Sequence, residues 1–434
     1  MKKKKMIQLG FVVLILVGLV WGIVSTLFNK TPAPFVLKDL KEHTRPAWKD
    51  TTSITNEEYI PYMDKYDVVK NNDIFKSRAT KKYPNYGKMA LNYFSQHINY
   101  TAPNGKPITI LAQEEVTDSQ MLYAYSLLEF YLSNFDDEIA NRMADNEATL
   151  VMTNGADGQG STPEKAMLGQ SLTQTETAPP GSKWYMESDY GHRDAAFEEI
   201  FHLVHDFGIG TTSTPQAYPE LAKKIKDAQI YAYDNNLWVK TLTMKLFWLP
   251  GIKKEGSLEQ EYIITPIDMY YGLWEAYEKD GMYGAYVAKS RESLEIGDPM
   301  GYELVTSFLP EFINTFMYLD ETFSGTFSMK RDEAFPYTFK SQYLKNLVIT
   351  GSHDTTLIGN NEDNVFMTGS GNNHIDGSLG HDILQLKGPS KDYEIISQGD
   401  KIIIKDSVPN RDGIVTLMNI EIMRFTDIDI SKKK

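Results

Sequence analysis

The residues best equipped for chemistry lie in one short run, Arg193-Asp-Ala-Ala-Phe-Glu-Glu-Ile-Phe-His-Leu-Val-His-Asp-Phe-Gly-Ile-Gly210. At about 100° per residue, Glu198, His202 and His205 fall within about 60° of one another on one side of a helix. Phe197, Ile200, Phe201, Leu203, Val204 and Phe207 share the other side. Two imidazoles and a carboxylate converging on one face suit a divalent transition metal, zinc above all. Glu199, at the edge of that stripe, could serve as general base toward a metal-bound water. The competing reading is an ordinary solvated face. Glu199-x-x-His202 also matches half of a di-iron pattern, but no second copy is present.

The elements that must hold these side chains can be traced around them. Asp194 is suited to N-cap the helix, and Gly208 and Gly210 to end it. Upstream, Ile108–Ala112 reads as a strand and Thr117–Asn134 as a strongly apolar helix; Ala148–Thr153 and Lys183–Glu187 read as two further strands. Residues 154–182 read as a polar loop beside the histidine helix. Downstream, Ser257-Leu-Glu-Gln260 reads as a capping box opening a helix that carries Glu261 and Asp268, with Pro266 expected to kink it. His192, just before the histidine helix, is a candidate for contact with substrate.

The register Glu198-Glu199-Ile200-Phe201-His202 resembles the H-E-x-x-H helix of zincin metallopeptidases, with glutamate at the first histidine position. The resemblance implies zinc-dependent hydrolysis of a peptide or protein substrate. It puts Glu198 and His202 at ligand positions and Glu199 at the general-base position, with His205 extra; either Glu198 or His205 would hold zinc beside His202. Gln260-Glu261-Tyr262 resembles the later helix of the lethal-factor-like branch, which implies Glu261 as a further zinc ligand, with Asp268 in reserve. Glutamate in place of the first histidine leaves the metal less electrophilic, consistent with a changed metal, a changed reaction or lost activity.

A second pattern occupies the C-terminal part. Leu357, Phe366, Ile375 and Leu384 recur every nine residues, separated by Gly, Asn, Asp and other short polar residues. Such a period predicts a β-roll whose large apolar residues point inward and stack, with turns that offer oxygen ligands to calcium. The four copies resemble haemolysin-type (repeats-in-toxin) calcium-binding proteins, which implies Ca2+ held by Asn364, Asn373 and Asp382. The equivalent position in the first copy is Thr355, so only one of the four is a carboxylate and binding should be weaker than in a full repeat. An ion-free solenoid held by side-chain ladders is the alternative. Asp392–Ile396 and Lys401–Asp406 alternate as antiparallel strands, expected to cap the roll.

Composition sets the outer limits. The chain has 434 residues, no cysteine and a formal net charge of −14. Setting aside the seven lysines of the two terminal runs leaves 37 basic against 58 acidic residues, a balance of −21. So acidic a body argues against nucleic-acid binding. Gly155-Ala-Asp-Gly-Gln-Gly160 lacks the Lys-Ser/Thr of a P-loop, and no nucleotide is expected. Absence of cysteine rules out disulfides, Cys-ligated zinc and thiol catalysis. Lys2 to Lys5 precede the uncharged run from Met6 to Phe28, whose 23 residues would reach about 34 Å as a helix, enough to cross a bilayer core of about 30 Å. The lysines would hold the N-terminus in the cytoplasm and place the remainder outside it, anchored by residues 6–28 or secreted if that run is cleaved.

The sequence therefore predicts four parts: a membrane anchor or signal segment (1–30), a linker (31–50), an α+β zincin-like domain (51–345), and an all-β parallel β-roll with antiparallel capping strands (346–434). The expected function is that of a secreted or envelope-anchored calcium-binding protein with a zinc metallopeptidase domain. The alternative is a non-catalytic calcium-binding surface or adhesion protein on a degenerate zincin scaffold.

Overall fold

The computed structural model describes residues 94–156, 169–212, 214 and 216–431. The linker and the apolar run Met6–Phe28 lie outside them.

The first half is built on a four-stranded sheet in the order β1 (Gln96–Thr101), β2 (Pro107–Ala112), β3 (Thr149–Thr153), β4 (Gln170–Thr173). β1 is antiparallel to β2, while β2, β3 and β4 run parallel. Between β2 and β3 the chain makes α1 (Asp118–Ser133) and α2 (Asp137–Asp145). The Thr117 side chain accepts from the Gln120 amide and the Gln120 side chain returns to Thr117, a reciprocal cap that fixes the start of α1. α1 is apolar on nearly every side because it is covered on every side. It packs on β1, β2, the histidine helix and the strand Ile313–Tyr318 of the second half, and Leu122 reaches a separate apolar cluster of Phe316, Tyr318, Val348, Val365, Met367 and Ile383.

Two sequence expectations in this half are corrected. Lys183–Glu187 is not a strand: Lys183–Met186 forms one helical turn, α3. Trp184 and Tyr185 are adjacent and both buried, which a helical turn allows and a strand with one wet face does not. The missing strand is β4, inside the stretch read as a loop. It carries one large apolar residue, Leu172, and so gives almost no periodic signal.

The histidine helix α4 (Ala196–Val204) follows, then α5 (Pro219–Asp234), α6 (Leu249–Glu255) and α7 (Leu258–Tyr270). α4 ends in a π-helical turn, His205–Ile209, closed by Gly210 at φ 94°. Gly208 sits where a Cβ would meet Ile139 at 2.7 Å, so its lack of a side chain lets this turn press against α2.

From Ile313 the chain winds as a roll between two six-stranded sheets. One has the order β12-β13-β14-β10-β8-β6, the other β16-β15-β11-β9-β7-β5. The strands are β5 (Ile313–Tyr318), β6 (Gly325–Ser328), β7 (Leu344–Val348), β8 (Thr355–Ile358), β9 (Val365–Met367), β10 (Asn372–Asp376), β11 (Ile383–Gln385), β12 (Tyr393–Gln398), β13 (Lys401–Asp406), β14 (Ile414–Met418), β15 (Ile422–Arg424) and β16 (Asp429–Ser431). Successive strands from β5 to β11 alternate between the sheets. The nine-residue period is therefore half a circuit, and Leu357 pairs with Ile375 and Phe366 with Leu384, each 18 residues on. The result is two inward columns, Phe327–Leu357–Ile375–Leu417 and Met317–Leu347–Phe366–Leu384–Met423, all buried.

The expected fold class does not hold. The sheets are mixed rather than all-parallel. β12 and β13 form an antiparallel hairpin that joins β14 edge to edge, after which β14 and β15 resume the parallel ladder on β10 and β11. The alternating antiparallel strands are members of the sheets, not a cap laid across their end. The parallel coils also begin at β5, before the Gly/Asn repeats, because Ile313–Val348 supplies buried apolar strands without the repeat's turn residues. As for the expected transmembrane helix, among the described residues no helix is long and apolar enough to cross a membrane.

Candidate metal centre

α4 and α7 pack against each other, which brings Glu198 and His202 from the first beside Glu261 from the second. One ligand atom from each of the three lies within 4.8 Å of the others. Among the described residues this is the grouping of three or more His, Asp or Glu side chains close enough to hold a metal ion. Ligands at zinc bond lengths of about 2.0–2.1 Å stand about 3.4 Å apart in a tetrahedron. Binding would have to draw the three atoms together, for Glu198 against its bond to Arg193.

Each side chain is positioned by an identifiable neighbour. The Asp194 carboxylate accepts from the amides of Ala196 and Ala178 and from the Tyr123 hydroxyl, at 3.2, 3.0 and 2.6 Å. It thus secures the start of α4, although the cap residue itself is Ala195. Arg193 donates to Glu198 Oε2 at 2.5 Å. Glu199 Oε2 lies 3.4 Å from His202 Nδ1 and accepts from Gln170 Nε2 on β4. His202 Nε2 is buried and has no hydrogen-bond partner. An imidazole held at one nitrogen and bare at the other is the arrangement of a histidine oriented for a metal. At the start of α7, Ser257 occupies the cap position, but its side chain makes no capping bond, so the expected capping box does not form.

The electrostatics fit a cation. Burial works against charge on His202, yet Glu199, Glu261 and Glu198 around it raise its pKa to about 10. Burial also works against charge on Glu198, yet Arg193 and His202 hold its carboxyl below the ordinary value. Burial pushes Glu261 up to about 7, partly countered by His202. Three carboxylates around one imidazole make a pocket of negative potential that a proton fills when nothing stronger does. Two carboxylates and an imidazole form a donor set that zinc accepts.

The remaining sequence candidates lie elsewhere. His205 is fully buried beside Phe201 and outside the group, with both ring nitrogens unpartnered. Burial and the neighbouring His202 depress its pKa to about 3, so it is a neutral core residue. Asp268 accepts from Trp274 Nε1 at 2.9 Å. His192 is exposed and pairs with Asp189 at 2.9 Å. Glu199 stands beside the group rather than in it. Arg193 and Gln170, which position ligands or their neighbours, were not legible as site residues. Arg193 precedes the helix, and Gln170 lies in the strand that periodicity did not reveal.

In the roll, Asn364, Asn373 and Asp382 serve as rungs between coils. Asn373 Oδ1 accepts from the Thr355 amide at 3.3 Å, and Asp382 Oδ1 accepts from the Asn364 amide at 2.8 Å, each across 18 residues. Asn364 Nδ2 donates to the Lys345 carbonyl at 3.1 Å, across 19 residues. Asp354 and Asp363 make the same 18-residue step on the turns, to the amides of Asn372 and His381. Asp382 Oδ2 is buried and unpartnered. It occupies space that a Cβ at Gly377 would need, 2.4 Å away.

A buried lysine supports the entry to α4. Lys340 Nζ lies 5.1 Å from the rings of both Trp184 and Tyr190 and donates to Ser188 Oγ at 3.3 Å. Burial lowers its pKa to about 7, against about 10.4 in an unfolded chain. Between those two values the unfolded chain binds more protons, so this residue's contribution makes stability rise with pH, by up to about 1.4 kcal/mol per unit. Below about pH 7 lysine is charged in both states and the slope vanishes. Lys340→Met is expected to stabilise the protein most at pH 6, with the gain fading by about pH 10. Denaturant midpoints across that range read it directly.

No protein-family model matches the sequence, and a search of curated proteins finds no match.

Proposed function

We propose that the protein is a metal-dependent hydrolase acting on peptide bonds, with zinc held by Glu198, His202 and Glu261. One observation carries the reading: three ligand atoms from two packed helices stand within 4.8 Å of one another, and His202, one of the three residues, has a buried ring nitrogen without a partner. Zinc bound there would supply Lewis-acid polarisation of the scissile carbonyl and of a water. The chain's own residues supply the rest. Arg193 offsets the charge of Glu198 and fixes its carboxylate. Glu199, partly exposed beside the group, would turn from His202 Nδ1 to accept a proton from the attacking water and return it to the leaving amine. Gln170 holds Glu199 in place. The purified chain should carry about one equivalent of zinc and cleave a mixed peptide library. Glu199→Gln should keep the zinc and lose at least about 100-fold in turnover. Absence of zinc, or full activity in Glu199→Gln, defeats the reading.

The Arg193–Glu198 pair favours a second reading. At 2.5 Å it competes with a metal for the same carboxylate, and the cluster would then be a buried ion-pair network in a non-catalytic surface protein. In that reading calcium at the roll remains a proposal, with Asp382 Oδ2 the one buried oxygen of the three candidate side chains that lacks a partner. A rise in melting temperature with millimolar calcium but not with zinc supports it; the reverse pattern refutes it.

A further inference from the structure

The helix before α7 presents an apolar face to solvent. Residues 242–255 are continuously helical, with a π-helical turn at Met244–Trp248 leading into α6. Pro250 explains the irregularity, since it has no amide hydrogen to return to the turn before it. The Leu249 amide instead bonds to the Met244 carbonyl, five residues back. Leu242, Leu246 and Phe247 lie 47, 57 and 79% exposed, whereas Leu249 and Ile252 on the opposite side are buried. Phe247 is the most exposed large apolar residue among those described.

The stretch that carries this face is basic. Residues 235–254 contain four lysines (Lys240, Lys245, Lys253, Lys254) and no Asp or Glu, in a chain of net charge −14, although Lys240 pairs with Asp280 at 2.6 Å. Lys253 and Lys254 are exposed at the end of the same helix. An aromatic and aliphatic ridge edged by lysines, lying along a surface helix, is built for the headgroup layer of an anionic membrane. We infer that the face formed by Leu242, Leu246 and Phe247 with the flanking lysines docks on an anionic lipid surface. This contact is separate from any made by Met6–Phe28. Gly256 ends this helix at φ 80°, and Glu261 lies five residues further on. Docking would therefore hold the metal-ligand helix close to the bilayer.

The absence of cysteine gives a clean probe. Thr243→Cys, on the exposed face, is labelled in the full chain with an environment-sensitive fluorophore. Vesicles containing phosphatidylglycerol should shift its emission to the blue, and pure phosphatidylcholine vesicles should not. Phe247→Glu should weaken the response about tenfold or more, the fold-change for one buried phenyl side chain, with an unchanged melting curve. Four results overturn the inference: no shift with phosphatidylglycerol, an equal shift with phosphatidylcholine alone, an undiminished shift in Phe247→Glu, or a shift that grows with protein concentration without lipid, which marks a second copy of the chain as the occupant. Vesicle binding through Met6–Phe28 alone gives co-sedimentation without a shift at residue 243, and counts as the first of these.

Discussion

His202→Ala is expected to leave the protein without zinc, while His205→Ala leaves the zinc in place. The two histidines are three residues apart on the same run, and the sequence treats them alike. The structure separates them: His202 faces Glu198 and Glu261, and His205 is sealed in the core. Loss of an outer partner of a ligand costs about 10- to 100-fold in affinity. Loss of a ligand from a set of three should exceed that range. Because bound metal stabilises only the folded chain, zinc at 100 times its dissociation constant should add about 2.7 kcal/mol to the parent protein and nothing to His202→Ala. His205→Ala should keep that zinc response and lose stability instead, since it empties a packed position. Elemental analysis and melting curves with and without zinc decide the matter. Parent levels of zinc in His202→Ala, or its loss in His205→Ala, would falsify the assignment of the centre.

The second large effect concerns the roll. A fragment of residues 346–434, cut where the repeat pattern suggests, should fail to fold by itself with or without calcium. The cut removes β5 and β6 and severs β7 after its second residue. It leaves β8 without its partner β6 and β9 with only part of β7. Phe316, Met317, Tyr318 and Phe327 are lost from the two apolar layers, each worth about 1.5–3 kcal/mol on burial. Together that rivals the 5–15 kcal/mol that typically holds a domain folded. The exposed strand edges should make the fragment aggregate. A chain starting at residue 94 retains every strand described and should melt cooperatively. A monomeric, cooperatively melting 346–434 fragment would show the later coils to be self-sufficient.

Each element was legible in the sequence in proportion to the strength of its periodic signal. α1 was legible because Thr117–Asn134 is strongly apolar over a helical length, and the Thr117–Gln120 cap fixes its start where that run begins. β13 was legible end to end because Lys401–Asp406 alternates between flanking turns. The inward columns were legible as a nine-residue recurrence, but their arrangement in two sheets was not, since a period does not say whether successive strands share a sheet. The early coils carry no repeat signature, and β4 has a single large apolar residue, so neither was visible. At the candidate metal centre, the helical period placed Glu198 and His202 together, the Gln260-Glu261-Tyr262 resemblance pointed to Glu261, and the structure brings the three side by side. The period also placed His205 with the first two, because a helical angle does not say which neighbour a ring packs on. The His205 amide still bonds to the Phe201 carbonyl as in a regular helix, but its ring is buried beside Phe201 and outside the cluster.

The 18-residue step between paired strands limits how this molecule could change its length over evolutionary time. Removing a single nonapeptide would send every later strand to the opposite wall, exchanging the contents of the two columns and breaking the phase of the Asn and Asp rungs. Removing or duplicating a full circuit would keep every partner's identity and shift only its address. Relatives of this chain should therefore differ in height by whole storeys, never by half of one.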